Sequence, residues 1–417
     1  MLHKNDTSLD LSNDFSLHNL PFGVFSTEMD SKRRIGVVLG DRVFDLNRLN
    51  DWGVFPEHRD RLERALAQPV LNDFIALGRT VTNGVRARLR ELLTDRPDRY
   101  DGLPDFVTPR AAARMHLPVR VGDYTDFYSS LDHATNVGKL FRDPENALLP
   151  NWRHLPVAYH GRSSSIGASG TPVRRPSGQL LRPGADAPVY APTERLDFEL
   201  EVAFIVGKDS ELGVPIPVDR AEEYIFGLVL FNDWSARDVQ RWEYVPLGPF
   251  LGKNFASSMS PWIVPLDALD AFRTAGPEQT PEPLPYLRGA GQRHLDVQLS
   301  VGITPAGSDV ETVVCRTNLR HLYWNMAQQL AHHTSNGCNV RVGDVLASGT
   351  ISGPTPDSAG SLLELSENGT RPLRLDDGNV RTFLRDGDRV TLRGFGARDG
   401  IRVGFGEVTN TILPTVP

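Results

Sequence analysis

Leu196-Asp197-Phe198-Glu199-Leu200-Glu201-Val202-Ala203-Phe204-Ile205-Val206 is an apolar run that carries acids inside it. As a strand it sends alternate side chains to opposite faces, so Phe198, Leu200, Val202, Phe204 and Val206 form a core face. Glu199 and Glu201 share the other face with Ala203 and Ile205. Two carboxylates one pleat apart, at ~5 Å and an effective dielectric of roughly 20, repel by about 3 kcal/mol. Water would hide that cost on an open surface. In a strand apolar on both faces the pair needs a cation or a shared proton. The pair therefore reads as half of a metal site in a sheet-based fold.

The surroundings of this stretch agree with a β-rich chain. Further strands are predicted over 225–232, 294–303, 343–348, 362–366 and 388–394, and one helix from Asn318 to His333. The 37 glycines and 31 prolines imply many turns. Strands this numerous, without regular helix alternation, predict a β-rich α+β fold of the sandwich or roll type rather than a doubly wound sheet. Residues 1–118 read as a smaller unit. Ile35–Leu39 and Arg42–Leu46 flank a Gly40-Asp41 turn, helical patterns lie near Glu57–Ala67 and Val81–Leu93, and Asp101–Val121 is a proline-bearing connector. The larger unit spans 119–417.

Bulk properties exclude several classes. A net charge of -7 without a dense basic run argues against a nucleic-acid partner. No apolar run approaches membrane-spanning length, and Met1–Asp14 is polar. Cys315 and Cys338 fit no metal spacing and read as reduced thiols, so a soluble cytoplasmic protein is expected.

Candidate chemistry clusters in a few segments. Asp126 precedes Ser129, whose spacing to Asp132 resembles a helix start, which puts His133 in the first turn. The helix dipole disfavours imidazolium there, leaving His133 able to accept a proton, or else it is a packed polar side chain. Asp233 ends an apolar strand and is either a helix cap or a ligand. Arg237 either pairs with Asp233 at i,i+4 or presents, with Gln240, two donors to an anion. Gly248–Lys253 superficially matches a phosphate loop, but the glycine spacing is one residue short and Asn254 replaces the hydroxyl residue. Lys253 is instead an inward amine or a surface lysine. Arg142, Tyr128, Tyr159 and Tyr244 are candidate holders of an acidic substrate, and Thr350 lies in a polar turn after a strand. Glu364, in Leu362–Leu365, is either an acid that orients His133 or a capping or salt-bridging group.

Seven segments occur together in order: Asp126-Phe127-Tyr128, His133-Ala134-Thr135-Asn136, Tyr159-His160-Gly161-Arg162, Glu199-Leu200-Glu201, Asn232-Asp233-Trp234-Ser235-Ala236-Arg237-Asp238, Gly349-Thr350-Ile351-Ser352-Gly353 and Arg402-Val403-Gly404-Phe405-Gly406. With Asn19-Leu20-Pro21-Phe22-Gly23, the sequence resembles the fumarylacetoacetate hydrolase family over nearly its whole length.

The resemblance implies a small SH3-like N-terminal barrel, a mixed β-sandwich roll after it, and a homodimer. It implies Ca2+ held by Asp126, Glu199, Glu201 and Asp233, with Mg2+ near Asp233, Lys253 and Ser257. It implies hydrolysis of a diketo-diacid at a carbon–carbon bond, giving fumarate and acetoacetate, the last step of tyrosine and phenylalanine catabolism. His133, oriented by Glu364, would be the base. Arg237, Gln240 and Lys253 would stabilise developing charge, and Tyr128, Arg142, Tyr159, Gln240, Tyr244 and Thr350 would hold substrate. Ala256-Ser257 departs from the family's glycine–threonine pair, and alanine resists backbone angles open only to glycine. The alternatives are another activity of the superfamily, such as acylpyruvate hydrolysis, and a non-catalytic metal-stabilised binding protein.

Overall fold

The computed structural model describes residues 13–96, 103 and 105–416. Most of the polar N-terminal stretch and the start of the expected connector lie outside the described residues. Two sheets dominate. A 13-stranded sheet runs from Val107–Pro109 through Arg42–Asp45, Arg34–Leu39, Phe22–Ser26, Trp262–Pro265, Ile225–Asp233, Leu200–Val206, Val345–Ala347 and Tyr124–Phe127 to Ala158–His160. A five-stranded sheet orders Thr312–Asn318, Gln298–Thr304, Arg389–Arg398, Ile401–Leu413 and Val173–Arg174.

The alternation in the opening stretch divides the molecule's two main cores. Phe198, Leu200, Val202, Phe204 and Val206 pack with Leu299, Val301, Leu392, Phe405 and Val408 of the five-stranded sheet. Ala203 and Ile205, on the acidic face, pack instead with Leu20, Phe22, Phe74 and Leu89 of the first hundred residues. The N-terminal segment is thus the cover of one face of the large sheet.

The expected SH3-like barrel falls on these N-terminal strands. The N-terminal strands form no closed barrel among the described residues. Phe22–Ser26 pairs with Arg34–Leu39 on one side, and its other edge is shared: Phe22 and Gly23 pair with Ile263 and Trp262 of the large sheet, while Val24, Phe25 and Ser26 pair with Arg114–His116. The expected connector contributes strands Val107–Pro109 and Arg114–His116, which pair with Arg42–Asp45 and Phe22–Ser26. The hairpin and the helices Arg59–Leu66 and Arg79–Asp95 form where periodicity predicts them.

Other elements differ as well, among them the strand expected over 294–303, which splits into His294–Leu295 and Gln298–Thr304 in separate sheets. The strand expected over 362–366 is a single helical turn, Leu362–Leu365, because the Ser361 side chain caps the Glu364 amide. The helix expected from Asn318 begins at Met326. There Asn325 and Gln328 form a capping box, while Asn318 ends a strand. Finally, 196–206 is not one strand: Leu196–Asp197 pairs with Ser235–Ala236, and the run resumes at Leu200–Val206. The Glu199 amide crosses the break by donating to Asn232 Oδ1 at 3.0 Å.

Phe22 joins the first hundred residues to the large sheet. It is 1% exposed, with ring centroids 5.0 Å from Phe74 and 5.9 Å from Phe226 of the large sheet. Phe22→Ala is expected to cost about 3–5 kcal/mol. Because the core is shared, urea unfolding should show one transition in both proteins, and separate transitions for the two units would overturn the shared-core account.

Candidate functional site

The site is built at one end of adjacent strands. Asp126 faces Tyr159 in the pairing of Tyr124–Phe127 with Ala158–His160, and Asp233 faces Ser257 in the pairing of Ile225–Asp233 with Ser257–Met259. Leu200–Val206 brings Glu201 between these pairs. Asp126, Glu199, Glu201 and Asp233 are all buried, and each places a carboxylate oxygen within 4.8 Å of the others.

The four acids are not equivalent. Glu199 accepts from Arg237 Nη1 at 2.6 Å and from Lys253 Nζ. Asp233 accepts from Lys253 Nζ at 2.7 Å, Tyr159 Oη at 2.7 Å and Ser257 Oγ at 2.9 Å. Burial alone would raise the Glu199 pKa, but the Lys253 and Arg237 charges overcome it and hold this carboxylate ionised below its usual range. Glu201 accepts only the Gly349 amide, at 3.1 Å, while its Oε1 and Asp126 Oδ1 have no hydrogen-bond partner among the described residues. Burial first, then neighbouring carboxylates, push both of these acids well above the ordinary carboxylate range. The repulsion between Glu199 and Glu201 is thus resolved on one side only. Glu201 and Asp126 retain lone pairs for a cation, and oxygen-only donors suit a hard ion.

Beside the cluster, His133 and Glu364 form a buried pair. Ser130, one residue later than the sequence implied, caps helix Leu131–Phe141 and accepts from the His133 amide. His133 Nδ1 lies 2.6 Å from Glu364 Oε2, and the same carboxylate accepts from Asn136 at 3.0 Å, Ser361 at 2.8 Å and Ser352 at 2.9 Å. Burial favours the neutral acid, yet His133 and these donors hold Glu364 below its usual pKa. An ionised Glu364 accepts a hydrogen bond from Nδ1–H, which leaves Nε2 as the acceptor. The Tyr128 ring stands edge-on to the imidazole at 5.2 Å.

Arg237 does not pair with Asp233. Its Nε donates to Asp197 Oδ2 at 2.9 Å, and Nη2 lies 2.9 Å from the same carboxylate without hydrogen-bond geometry. Asp197 also accepts the amides of Leu362 and Leu363 at 2.8 and 2.9 Å, so it joins Arg237 to the turn that carries Glu364. Sequence reasoning gave Asp197 no role. The signal was present, since Asp197, Glu199 and Glu201 repeat at every second residue.

The remaining candidates divide. Lys253 and Ser257 join the cluster directly, and Tyr159 does so through Asp233. The loop before Lys253 packs on helix Arg237–Glu243, where a Cβ at Gly252 would fall 2.7 Å from Gln240 Cα. Thr350 is buried just after the Gly349 amide that reaches Glu201. Arg142 is exposed and donates Nε and Nη2 to the Ala147 carbonyl, at 2.9 and 2.6 Å. Tyr244 is 51% exposed, and its hydroxyl makes no hydrogen bond to a cluster residue among those described. Ala256 lies outside the left-handed region, so alanine is not strained there.

This fold and site define a class. The family model described as fumarylacetoacetate (FAA) hydrolase C-terminal matches residues 123–413, and the one described as fumarylacetoacetase N-terminal matches 18–118. The chain belongs to the fumarylacetoacetate hydrolase family. Among its relatives, the fumarylacetoacetase of Homo sapiens is 51% identical over 411 residues, covering 97% of each chain. That of Arabidopsis thaliana is 48% identical over 417 residues, covering 98% of each. A solved fumarylacetoacetate hydrolase from psychrophilic Exiguobacterium antarcticum shares the fold at a TM-score of 0.54 and 18% identity, covering 95% of this chain and 99% of that one.

The unequal carboxylates make opposite predictions in chelator. Glu199→Gln leaves Arg237 and Lys253 underpaired and is expected to destabilise by about 3–5 kcal/mol. Glu201→Gln replaces an acid whose charged form burial and neighbouring carboxylates disfavour, and is expected to leave stability unchanged or higher. Equal losses in urea unfolding would refute the assigned asymmetry.

Proposed function

We propose that this protein is a metal-dependent hydrolase that cleaves the carbon–carbon bond of fumarylacetoacetate to fumarate and acetoacetate, the closing step of tyrosine and phenylalanine breakdown. The observation that carries the reading is the His133–Glu364 pair beside four buried carboxylates, two of which keep unpartnered oxygens. Full-length identity near one half to fumarylacetoacetases gives the substrate.

The donor set fits a divalent ion, since Asp126, Glu199, Glu201 and Asp233 offer only hard oxygen atoms. When bound, such an ion supplies Lewis acidity at the substrate's oxygens. Calcium is our assignment for this site. Magnesium beside Asp233, Lys253 and Ser257 completes the proposal, although Asp233 already accepts three hydrogen bonds there.

The chain's own groups supply the proton chemistry. Glu364 holds the Nδ1 proton, and His133 Nε2 removes a proton from the attacking water. Water adds to the carbonyl, the carbon–carbon bond breaks, and the proton held by His133 returns to the departing carbon. Arg237 Nη2 and the third Lys253 N–H remain for developing negative charge, since their other donors are committed to Asp197, Glu199 and Asp233. Gln240 stands with them. Tyr128, Arg142, Tyr159, Tyr244 and Thr350 are proposed substrate holders. For Arg142 this requires release of the Ala147 carbonyl.

The division at 118/119, an SH3-like kinship for the N-terminal unit, a homodimer and a cytoplasmic location belong to the same proposal. Two free cysteines support a reducing compartment, and among the described residues no helix is long and apolar enough to cross a membrane. Sedimentation of the purified chain tests the dimer.

His133→Ala is expected to keep fold and metal while turnover falls by at least ~100-fold, the lower range for a lost general base. Loss of diketone absorbance measures it, with acylpyruvates as the competing substrate class. Undiminished hydrolysis would remove His133 from the mechanism. The double variant Glu199→Gln/Glu201→Gln is expected to lose calcium affinity, and full retention would refute the metal assignment.

A further inference from the structure

We propose that Tyr124 is a positioning residue of the acid cluster, its buried hydroxyl donating to a carboxylate or water oxygen once a cation is bound. The proposal rests on the metal reading above. Tyr124 and Asp126 are two apart in one strand and share a face. Across that face, Phe231 and Asp233 are two apart in theirs. The strands between them contribute Ala203 and Ala347, paired in register, whose small side chains let the Tyr124 and Phe231 rings meet at 5.2 Å. Two aromatic–acid pairs therefore stand opposite each other over a floor of alanine.

The third wall comes from the Tyr159-His160-Gly161-Arg162 segment. The Gly161 amide donates to the Tyr124 carbonyl at 2.9 Å, and a Cβ at Gly161 would fall 2.1 Å from the ring. Phe231 and Gly161 thus confine the ring. Tyr124 is 3% exposed, and its hydroxyl has no hydrogen-bond partner among the described residues.

A phenylalanine would fill the same slot without a buried polar atom to satisfy, so packing does not account for the hydroxyl. Its surroundings do. A phenolic hydroxyl is a donor, and this one is buried on the strand face that carries Asp126, across from the face that carries Asp233. Asp126 and Glu201 are also the acids with unpartnered oxygens. A donor held by a rigid ring beside such ligands is the arrangement that orients ligands in metal sites.

The test is Tyr124→Phe in the full chain. Calcium is titrated calorimetrically into chelator-treated protein, and urea unfolding is followed in chelator. The calcium Kd is expected to rise by about 10-fold or more, the range for loss of an outer hydrogen bond. The metal-free urea midpoint is expected to stay equal or increase. Unchanged calcium affinity overturns the inference while leaving the metal site standing. Weaker binding with an equal loss of metal-free stability marks general packing damage and overturns it as well. A wild-type protein that takes up neither calcium nor magnesium defeats the metal reading and this inference with it.

Discussion

Buried carboxylate charge is the constraint from which the rest of this structure follows. Asp126, Asp197, Glu199, Glu201 and Asp233 are each at most 5% exposed, and among the described residues Arg237 and Lys253 are the cations that contact them. Two cations cannot neutralise five carboxylates, so the arrangement distributes them. Asp197 and Glu199 take Arg237, Glu199 and Asp233 take Lys253, and Asp126 with Glu201 are left with open lone pairs. A low dielectric makes such an imbalance costly, and it also makes a cation bound there strongly held.

The scaffold serves this concentration of charge by keeping water away. Two sheets bury one face of Leu200–Val206, and the N-terminal unit covers the other beyond Glu201. Joining the small unit through Phe22–Ser26 and Trp262–Pro265 makes that cover part of the same hydrogen-bonded sheet. The His133–Glu364 pair stands on separate helices at the edge of the cluster. Asp197 links them to it, since one carboxylate holds both Arg237 and the start of the Glu364 turn. Acid cluster, base and anion donors are therefore parts of one hydrogen-bonded assembly.

Legibility followed the range of the interactions. Hairpin 34–45 and helix Arg79–Asp95 were readable because turn chemistry and helical periodicity are local. Leu362–Leu365 was misread as a strand because four apolar-rich residues carry no usable period, and the decisive contact was one serine cap. The late start of Met326–Thr334 was written in Asn325 and Gln328, a capping signature that the broader apolar spacing obscured. The SH3-like closure was inferred from resemblance. How the edge of Phe22–Ser26 is shared between Trp262–Pro265 and Arg114–His116 is a long-range choice that local sequence does not carry.

By itself, the sequence determined that acids at every second residue of an apolar strand would be buried on one face and would need compensation. It also determined which residue types were available to compensate them. The tertiary structure decided the partners: Arg237 went to Asp197 and Glu199 rather than Asp233, Lys253 bridged two acids, and Asp126 and Glu201 remained open. The physical reason is that alternation along a strand is set by covalent geometry. Which charges meet in a low-dielectric interior is set by contacts between residues far apart in the chain.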